Sequence, residues 1–464
     1  MIRLQGEQSL SFMRFQNLAR HPDIGCNSYL LEFGSTRFVL DSGSHPKHTG
    51  KSTLPLFEEL EYDSVDAILL SHPHLDHIGS LPRLMKQQPN ATVCMTEETR
   101  QFGGALLHNS VNVMKAQRKE LNEPSYPLYS HREVEDAEKT WYTRRVGERF
   151  SLGESDRVEC EFFQAGHVLG AVGIQMKWEG RTIFYTGDVH FEDQTMTKGA
   201  EFPEGDVDTL IIETTRGDNI RPEDYAREAE KQRLGSVIDE TLRRGGSVLI
   251  PVFAFGKTQE LLLMLHELFD EGHLPYTPVH IGGLSTRMTT ITDSFSDHPG
   301  RHHRGYKLLD EFPGLEVLPR GRSEPEYQRG HIYALSSGMM SENTVSHRFS
   351  RHILSNPANA MLFVGFAEES TPGGRILEAG QGGRVRMNSD SDHESPILCD
   401  VHKFDFSGHS PREQIADYAV SRNPKTVILV HGDPPAKSWF YNNLRERLPH
   451  SRIVVPKPGQ SVDL

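Results

Sequence analysis

The stretch Ser71-His72-Pro73-His74-Leu75-Asp76-His77-Ile78-Gly79 packs three imidazoles and a carboxylate between His72 and His77. It follows the apolar run Val65-Asp66-Ala67-Ile68-Leu69-Leu70, which reads as a buried strand. It precedes Ile78–Met85, which reads as the start of a helix. The cluster therefore belongs to a loop at the carboxyl end of a strand, where open α/β sheets place ligand sites. Alternate side chains of an extended segment share a face, so His72 and His74 can grip one metal ion. Asp76 and His77 then turn away toward a second. Neutral imidazole nitrogen and carboxylate oxygen are donors that zinc accepts. A histidine-rich surface loop is the plain alternative, and three imidazoles at this spacing on a strand-to-helix loop argue against it.

The surrounding chain has 464 residues, enough for two or three domains. It is 36% hydrophobic and 25% charged, the texture of a soluble globular protein. No apolar run reaches the length of a membrane span, and Met1–Glu7 has no apolar signal core. The cysteines Cys26, Cys94, Cys160 and Cys399 are scattered without a CxxC pair, and are expected to be reduced thiols of a cytoplasmic protein. The formal net charge of −14 weighs against a nucleic-acid partner. Overall charge governs solubility rather than any one groove, however. Local basic clusters stand at Arg301-His302-His303-Arg304 and Arg320-Gly321-Arg322, each read most simply as a solvated face.

Several further strands end in a carboxylate or an imidazole. Thr36–Leu40 runs into Asp41, Thr182–Tyr185 into Thr186-Gly187-Asp188, Val207–Ile212 into Glu213, and Lys425–Val430 into His431. A carboxylate at the buried end of a strand must find a partner. Asp41 reads equally as a turn cap or as the support of a metal ligand from behind. His167 lies between glycines in Ala165-Gly166-His167-Val168-Leu169-Gly170-Ala171, and His409 follows Phe404-Asp405-Phe406-Ser407-Gly408 before a helix near Pro411. One such residue is ordinary; the series along one sheet edge is the signal.

From about residue 218 the pattern becomes alternating helix and strand, which implies a second parallel-sheet domain. Pro222–Arg244 and Gln259–Glu271 read as helices, and Val248–Ala254, Val279–Ile281, Ile332–Leu335 and Ala360–Phe366 as strands. Residues 120–135, 297–330 and 384–398 read as polar connecting segments. Gly256-Lys257-Thr258 mimics a phosphate loop, but Pro251 stands where the first Walker glycine belongs, so no ATP site is expected.

With these marks in order, the chain resembles the β-CASP branch of the metallo-β-lactamase superfamily, a branch that includes ribonucleases. The resemblance covers nearly the whole chain. The first motif matches Asp41, and the HxHxDH motif matches His72, His74, Asp76 and His77. The third and fourth motifs match His167 and Asp188. Motifs A, B and C match Glu213, His409 and His431. Pro411, Gly282-Gly283-Leu284-Ser285 and Arg216 depart from the pattern of relatives. The implied fold is α/β: an αββα sandwich over 1–213 and 392–464, with an α/β β-CASP domain inserted at 214–391.

The resemblance also implies a site. His72, His74 and His167 bind one zinc ion, Asp76, His77 and His431 a second, and Asp188 bridges them. Two zinc ions roughly 3.5–4 Å apart hold a hydroxide and a phosphoryl oxygen together. Asp76, Glu213 and His409 are the implied catalytic residues, with His409, kept charged by Glu213, protonating the leaving group. Lys257, Ser336, Ser337 and Thr371 are the implied phosphate contacts. The expected function is a zinc-dependent ribonuclease acting on single-stranded RNA. His431 favours RNA, because DNA-repair members carry an apolar residue there. A DNA exo- or endonuclease is the alternative, and a non-catalytic RNA-processing scaffold ranks below both. Expected partners are RNA or, alternatively, DNA, together with further copies of the chain or RNA-processing proteins, and no membrane.

Overall fold

The computed structural model describes residues 12–319 and 321–464. Met1–Glu7 and Arg320, on which two of the expectations above rest, lie outside the described residues. The chain forms two compact units. The first comprises the described residues through Glu192, then Gly199–Ile220 and His409–Leu464; the second comprises Asp193–Lys198 and Arg221–Gly408.

The first unit is built on two seven-stranded sheets. One runs in the order Ser461–Asp463, Met13–Asn17, Tyr29–Phe33, Thr36–Leu40, Ala67–Leu69, Thr92–Met95, Trp141–Thr143. The other runs Arg452–Val454, Thr426–Val430, Thr209–Glu213, Arg181–Tyr185, Val172–Trp178, Val158–Gln164, Arg149–Leu152. The strands obey the two-residue period of extended chain, and that period sorts their side chains into layers. Leu31 and Ile211 join Phe15, Phe38, Phe162 and Tyr185 in a core between the sheets. Their neighbours Leu30, Leu210 and Ile212 face outward. Leu30 packs with Leu81, Leu84 and Leu107 of the helices Leu81–Gln87 and Glu97–Glu120. Leu210 and Ile212 pack with Ile415, Ala419 and Phe440 of the helices Arg412–Ser421 and Pro434–Arg447. Helix, sheet, sheet and helix thus lie in that order.

The second unit has a six-stranded sheet ordered Leu315–Val317, Val279–Ile281, Ile332–Leu335, Val248–Pro251, Ala360–Phe363, Asp400–Lys403, with each pairing parallel. Val248, Leu249, Ile250 and Pro251 are all buried, as expected of a parallel strand covered on both faces. The first domain was expected to resume at 392. Asp400–Lys403 instead hydrogen-bonds beside Ala360–Phe363, and the second unit extends to Gly408.

Three segments read as connectors contain elements. Residues 120–135 include the start of the helix His131–Glu138, opened by a capping box between Ser130 and Glu133. That serine-x-x-glutamate signal satisfies two backbone donors that a helix start otherwise leaves bare. Within 297–330 the strand Leu315–Val317 forms the sheet edge. Within 384–398, Arg384–Arg386 and Glu394–Pro396 pair as a two-stranded ribbon. Among the described residues no helix is long and apolar enough to cross a membrane. All four cysteines are buried and not in disulfides.

Candidate metal centre

Six strand ends of the first unit deliver the polar groups, the carboxyl end of Val158–Gln164 leading into His167. Leu40 lies opposite Leu69 in parallel register, which brings Asp41 beside the loop that starts at Ser71. Glu213 lies opposite Val430, which sets it next to His431. Asp188 follows the strand Arg181–Tyr185, itself paired in parallel with Thr209–Glu213. Asp41 and His431 both hold positive φ, +58° and +43°. Such left-handed conformations cost a non-glycine residue energy and gather at functional sites. The turn after Asp41 is tight: a Cβ on Gly43 would stand 1.7 Å from the carbonyl oxygen of Asp76.

The side chains converge as two donor groups. In the first, His74 Nδ1 lies 3.1 Å from His72 Nε2 and 3.1 Å from His167 Nε2. Asp188 Oδ2 is 3.4 Å from His72 Nε2 and 3.7 Å from His167 Nε2. In the second, Asp76 Oδ2 is 3.2 Å from His431 Nε2 and 3.5 Å from His77 Nε2. The other oxygen of Asp188, Oδ1, lies 3.4 Å from His77 Nε2. One carboxylate therefore faces both groups. In each group one donor atom per residue lies within 4.8 Å of the others.

The donor chemistry fits cations. His74 Nδ1 faces two ring nitrogens with a single proton or lone pair to offer, so it cannot satisfy both well, whereas a positive ion accepts all three lone pairs at once. Asp188 Oδ1 is buried and has no hydrogen-bond partner among the described residues, a costly state for a carboxylate oxygen. Burial foremost, then the neighbouring His77, drives His72 well below the usual imidazole pKa. Burial also lowers His74 to about 4. Both rings are thus neutral, the form that binds metal. Burial works against charge on Asp188 as well, but His431, His77 and His72 together hold it well below the usual carboxylate range.

A layer of hydrogen bonds orients these donors. The Asp41 carboxylate accepts from the Ser71 backbone N–H at 2.7 Å, the Ser71 hydroxyl at 2.7 Å and the Tyr185 hydroxyl at 2.6 Å. Its Oδ2 also lies 2.7 Å from His77 Nδ1, which holds the ring proton there and turns Nε2 toward Asp76 and Asp188. Burial, then Asp41, raises Tyr185 well above the usual phenol pKa, so it remains a donor. Thr215 Oγ1 is 2.8 Å from His431 Nδ1. Asn27 donates through Nδ2 to the Asp76 carbonyl at 3.0 Å and lies 3.3 Å from His77 Nε2. Asn27 and Thr215 were not singled out from sequence. Thr215 sits two residues beyond Glu213, and that proximity was a usable signal; a lone Asn opening a strand was not.

Glu213 and His409 form a separate pair. His409 Nδ1 lies 3.0 and 3.1 Å from the two oxygens of Glu213, which is 1% exposed. Glu213 also accepts from the backbone N–H of Val189 at 2.7 Å and of Thr215 at 3.3 Å. Burial disfavours charge on His409, but Glu213, Asp188 and Asp76 overcome it and raise its pKa above the ordinary imidazole value. The ring sits 4.5 Å, centroid to centroid, from that of His167. A histidine with a raised pKa thus stands beside the first donor group.

The other expected residues lie in the second unit. Lys257 opens the helix Lys257–Asp270, and its ammonium donates to the carbonyl of Phe406. Ser336 and Ser337 follow the strand Ile332–Leu335, and Thr371 caps the helix Pro372–Ala379 by accepting from the Gly374 N–H. The Gly373 N–H donates to the Met339 carbonyl at 3.1 Å, so the two serine and threonine loops adjoin. They and Lys257 follow the carboxyl ends of neighbouring parallel strands.

Comparison with known proteins gives three consecutive family matches. Residues 21–233 match the metallo-beta-lactamase superfamily, 258–376 the Beta-Casp domain, and 394–456 the Zn-dependent metallo-hydrolase RNA specificity domain. The chain is 28% identical over 450 residues to cleavage and polyadenylation specificity factor subunit 3 of Dictyostelium discoideum, covering 95% of this chain and 56% of that protein. It is 30% identical over 451 residues to endoribonuclease ysh1 of Schizosaccharomyces pombe, covering 96% and 57%. It therefore spans little more than half the length of these two relatives. It is 29% identical to ribonuclease TTHA0252 of Thermus thermophilus, covering 91% of this chain and 93% of that one. A crystal structure of a protein of unknown function from Enterococcus faecalis V583 shares the fold at a TM-score of 0.55 and 12% identity, covering 98% of this chain and 100% of the other.

Proposed function

Because the chain belongs to the β-CASP branch of the metallo-β-lactamase superfamily, we propose that it is a zinc-dependent phosphodiesterase that cleaves RNA. Single-stranded RNA is the proposed substrate, in keeping with the relatives named ribonucleases. The observation that carries the reading is the single buried carboxylate, Asp188, directed at two histidine-rich donor groups. His72, His74, His167 and Asp188 would hold one zinc ion; Asp76, His77, His431 and Asp188 would hold the other. Zinc would supply Lewis acidity, which lowers the pKa of a water molecule to about 7 and neutralises charge on phosphoryl oxygens.

The protein's own residues do the rest. Asp41 fixes the His77 tautomer, and Thr215 steadies His431. His409, kept charged by Glu213, donates a proton to the departing sugar oxygen, which otherwise leaves as a strongly basic alkoxide. Lys257, Ser336, Ser337 and Thr371 remain proposed phosphate contacts.

The test uses end-labelled single-stranded RNA and DNA of matched sequence, incubated with the intact chain. Cleavage of RNA that a chelator abolishes and added zinc restores is expected. His74→Ala and Asp188→Ala are expected to lose cleavage altogether. Full activity in either variant overturns the ligand assignment, and preferential cutting of the DNA overturns the substrate.

A further inference from the structure

The second unit contains one more group of metal-type donors, remote in sequence from those of the first unit. His280 lies in the strand Val279–Ile281, Glu316 in Leu315–Val317, and His331 immediately before Ile332–Leu335. Parallel register sets His280 directly opposite Glu316 on one side and Tyr333 on the other. His280 Nε2 lies 2.8 Å from His331 Nδ1, and His280 Nδ1 lies 3.4 Å from Glu316 Oε2. One donor atom from each residue falls within 4.8 Å of the other two.

The rings are already positioned. His280 stacks on Tyr333 at 4.6 Å and 10°, and His331 stacks on His280 at 5.1 Å and 21°. Ligands held by packing lose little freedom when an ion arrives. His331 faces Nε2 of the His280 ring and Glu316 lies on the Nδ1 side, so the exposed Glu316 side chain must rotate to join an ion held between the two rings. His280 is buried, His331 is half-buried and Glu316 is 51% exposed, so an ion can enter from the Glu316 side.

We propose that His280, His331 and Glu316 form a zinc site that staples the edge strand Leu315–Val317 to the sheet of the second unit. Two imidazoles and a carboxylate suit zinc, with water as a fourth ligand. Two nitrogens on a tetrahedral zinc at about 2.0–2.1 Å stand about 3.3 Å apart. The observed pair must therefore open by about half an ångström, within the reach of a half-buried side chain such as His331. The staple has a purpose: the edge strand is three residues long, and Glu316 and Val317 are exposed. An ion would tie it to two neighbouring strands at once.

Equilibrium dialysis of the intact chain against zinc, with metal counted per chain, tests the site. Wild type is expected to hold one equivalent more than His331→Ala and one more than Glu316→Gln, whatever the count at the first unit's donors. RNA cleavage by these two variants is expected to match wild type. Cobalt(II) substituted for zinc is expected to give a visible absorption difference between wild type and His331→Ala, without the thiolate band of a cysteine site. Both substitutions fall outside the buried core, so folding is retained; a melting curve checks it. Equal metal counts in wild type and both variants overturn the proposal. A lowered melting temperature with no difference in metal count reduces the cluster to a hydrogen-bonded pair and overturns it equally.

Discussion

At His409 two opposing effects meet. Burial favours the neutral ring, while the Glu213 carboxylate 3.0 Å from Nδ1 favours the charged one, and the balance raises the pKa above the ordinary imidazole value. A group whose folded pKa is raised adds stability below its unfolded pKa, near 6.5, and loses it as pH climbs through the folded value. Glu213→Gln removes the main cause of the rise. The alkaline limb of the pH–rate profile is then expected to move to lower pH, with zinc content unchanged; an unshifted limb assigns the proton to another group. General acid catalysis contributes roughly 10²–10⁴-fold, so His409→Ala is expected to fall within that range at neutral pH. Asp41 acts differently, through His77 rather than on the substrate. Removing the partner that orients a ligand costs about 10–100-fold in metal affinity. Asp41→Asn is expected to show that loss in competition with a chromophoric chelator.

The elements carry a plainer logic. A strand of the sandwich has one face on the other sheet and one on a helix, so nearly every position is apolar, and its last residue emerges into the loop that bears chemistry. That is why Thr36–Leu40 and the strand ending at Glu213 could be read from sequence almost to the residue. Val172–Trp178 was not read, because Gly173 and Gln175 interrupt its apolar run although both are buried. Leu315–Val317 was not read because three residues, two of them exposed, take their shape from the neighbouring strand rather than from their own composition. Ile211 marks what the sandwich depends on: it is fully buried between the sheets. Large-to-small changes at such positions cost about 2–5 kcal/mol. Ile211→Ala is expected to lose that much in urea denaturation, with cleavage retained by the folded fraction.

Across the molecule, the proposed ligands were legible because each stands in a short chemical pattern at a strand end. Of their hydrogen-bonded supports, Asp41 was legible at its strand end, but Asn27 was not: it reaches Asp76 from 49 positions away in the sequence, and nothing local to Asn27 announces it. The same convergence would make bound ions part of the folded state. A ligand that binds only the native form at 1,000 times its Kd stabilises it by about 4.1 kcal/mol. Stripping zinc with a chelator is therefore expected to lower the melting temperature of wild type, and to lower that of His74→Ala by less. The Glu213–His409 pair spans 196 positions, with the second unit's main segment, Arg221–Gly408, between its members. Translation delivers a chain from its amino end at roughly 5–20 residues per second. A ribosome that has just released Glu213 thus works for about 10–40 s before the proton donor is made, and longer before His431 and the strand Thr426–Val430 that pairs with Thr209–Glu213. For that interval the nascent polypeptide has the HxHxDH loop but neither His409 nor His431, so the proposed centre stays incomplete until the chain is almost fully made.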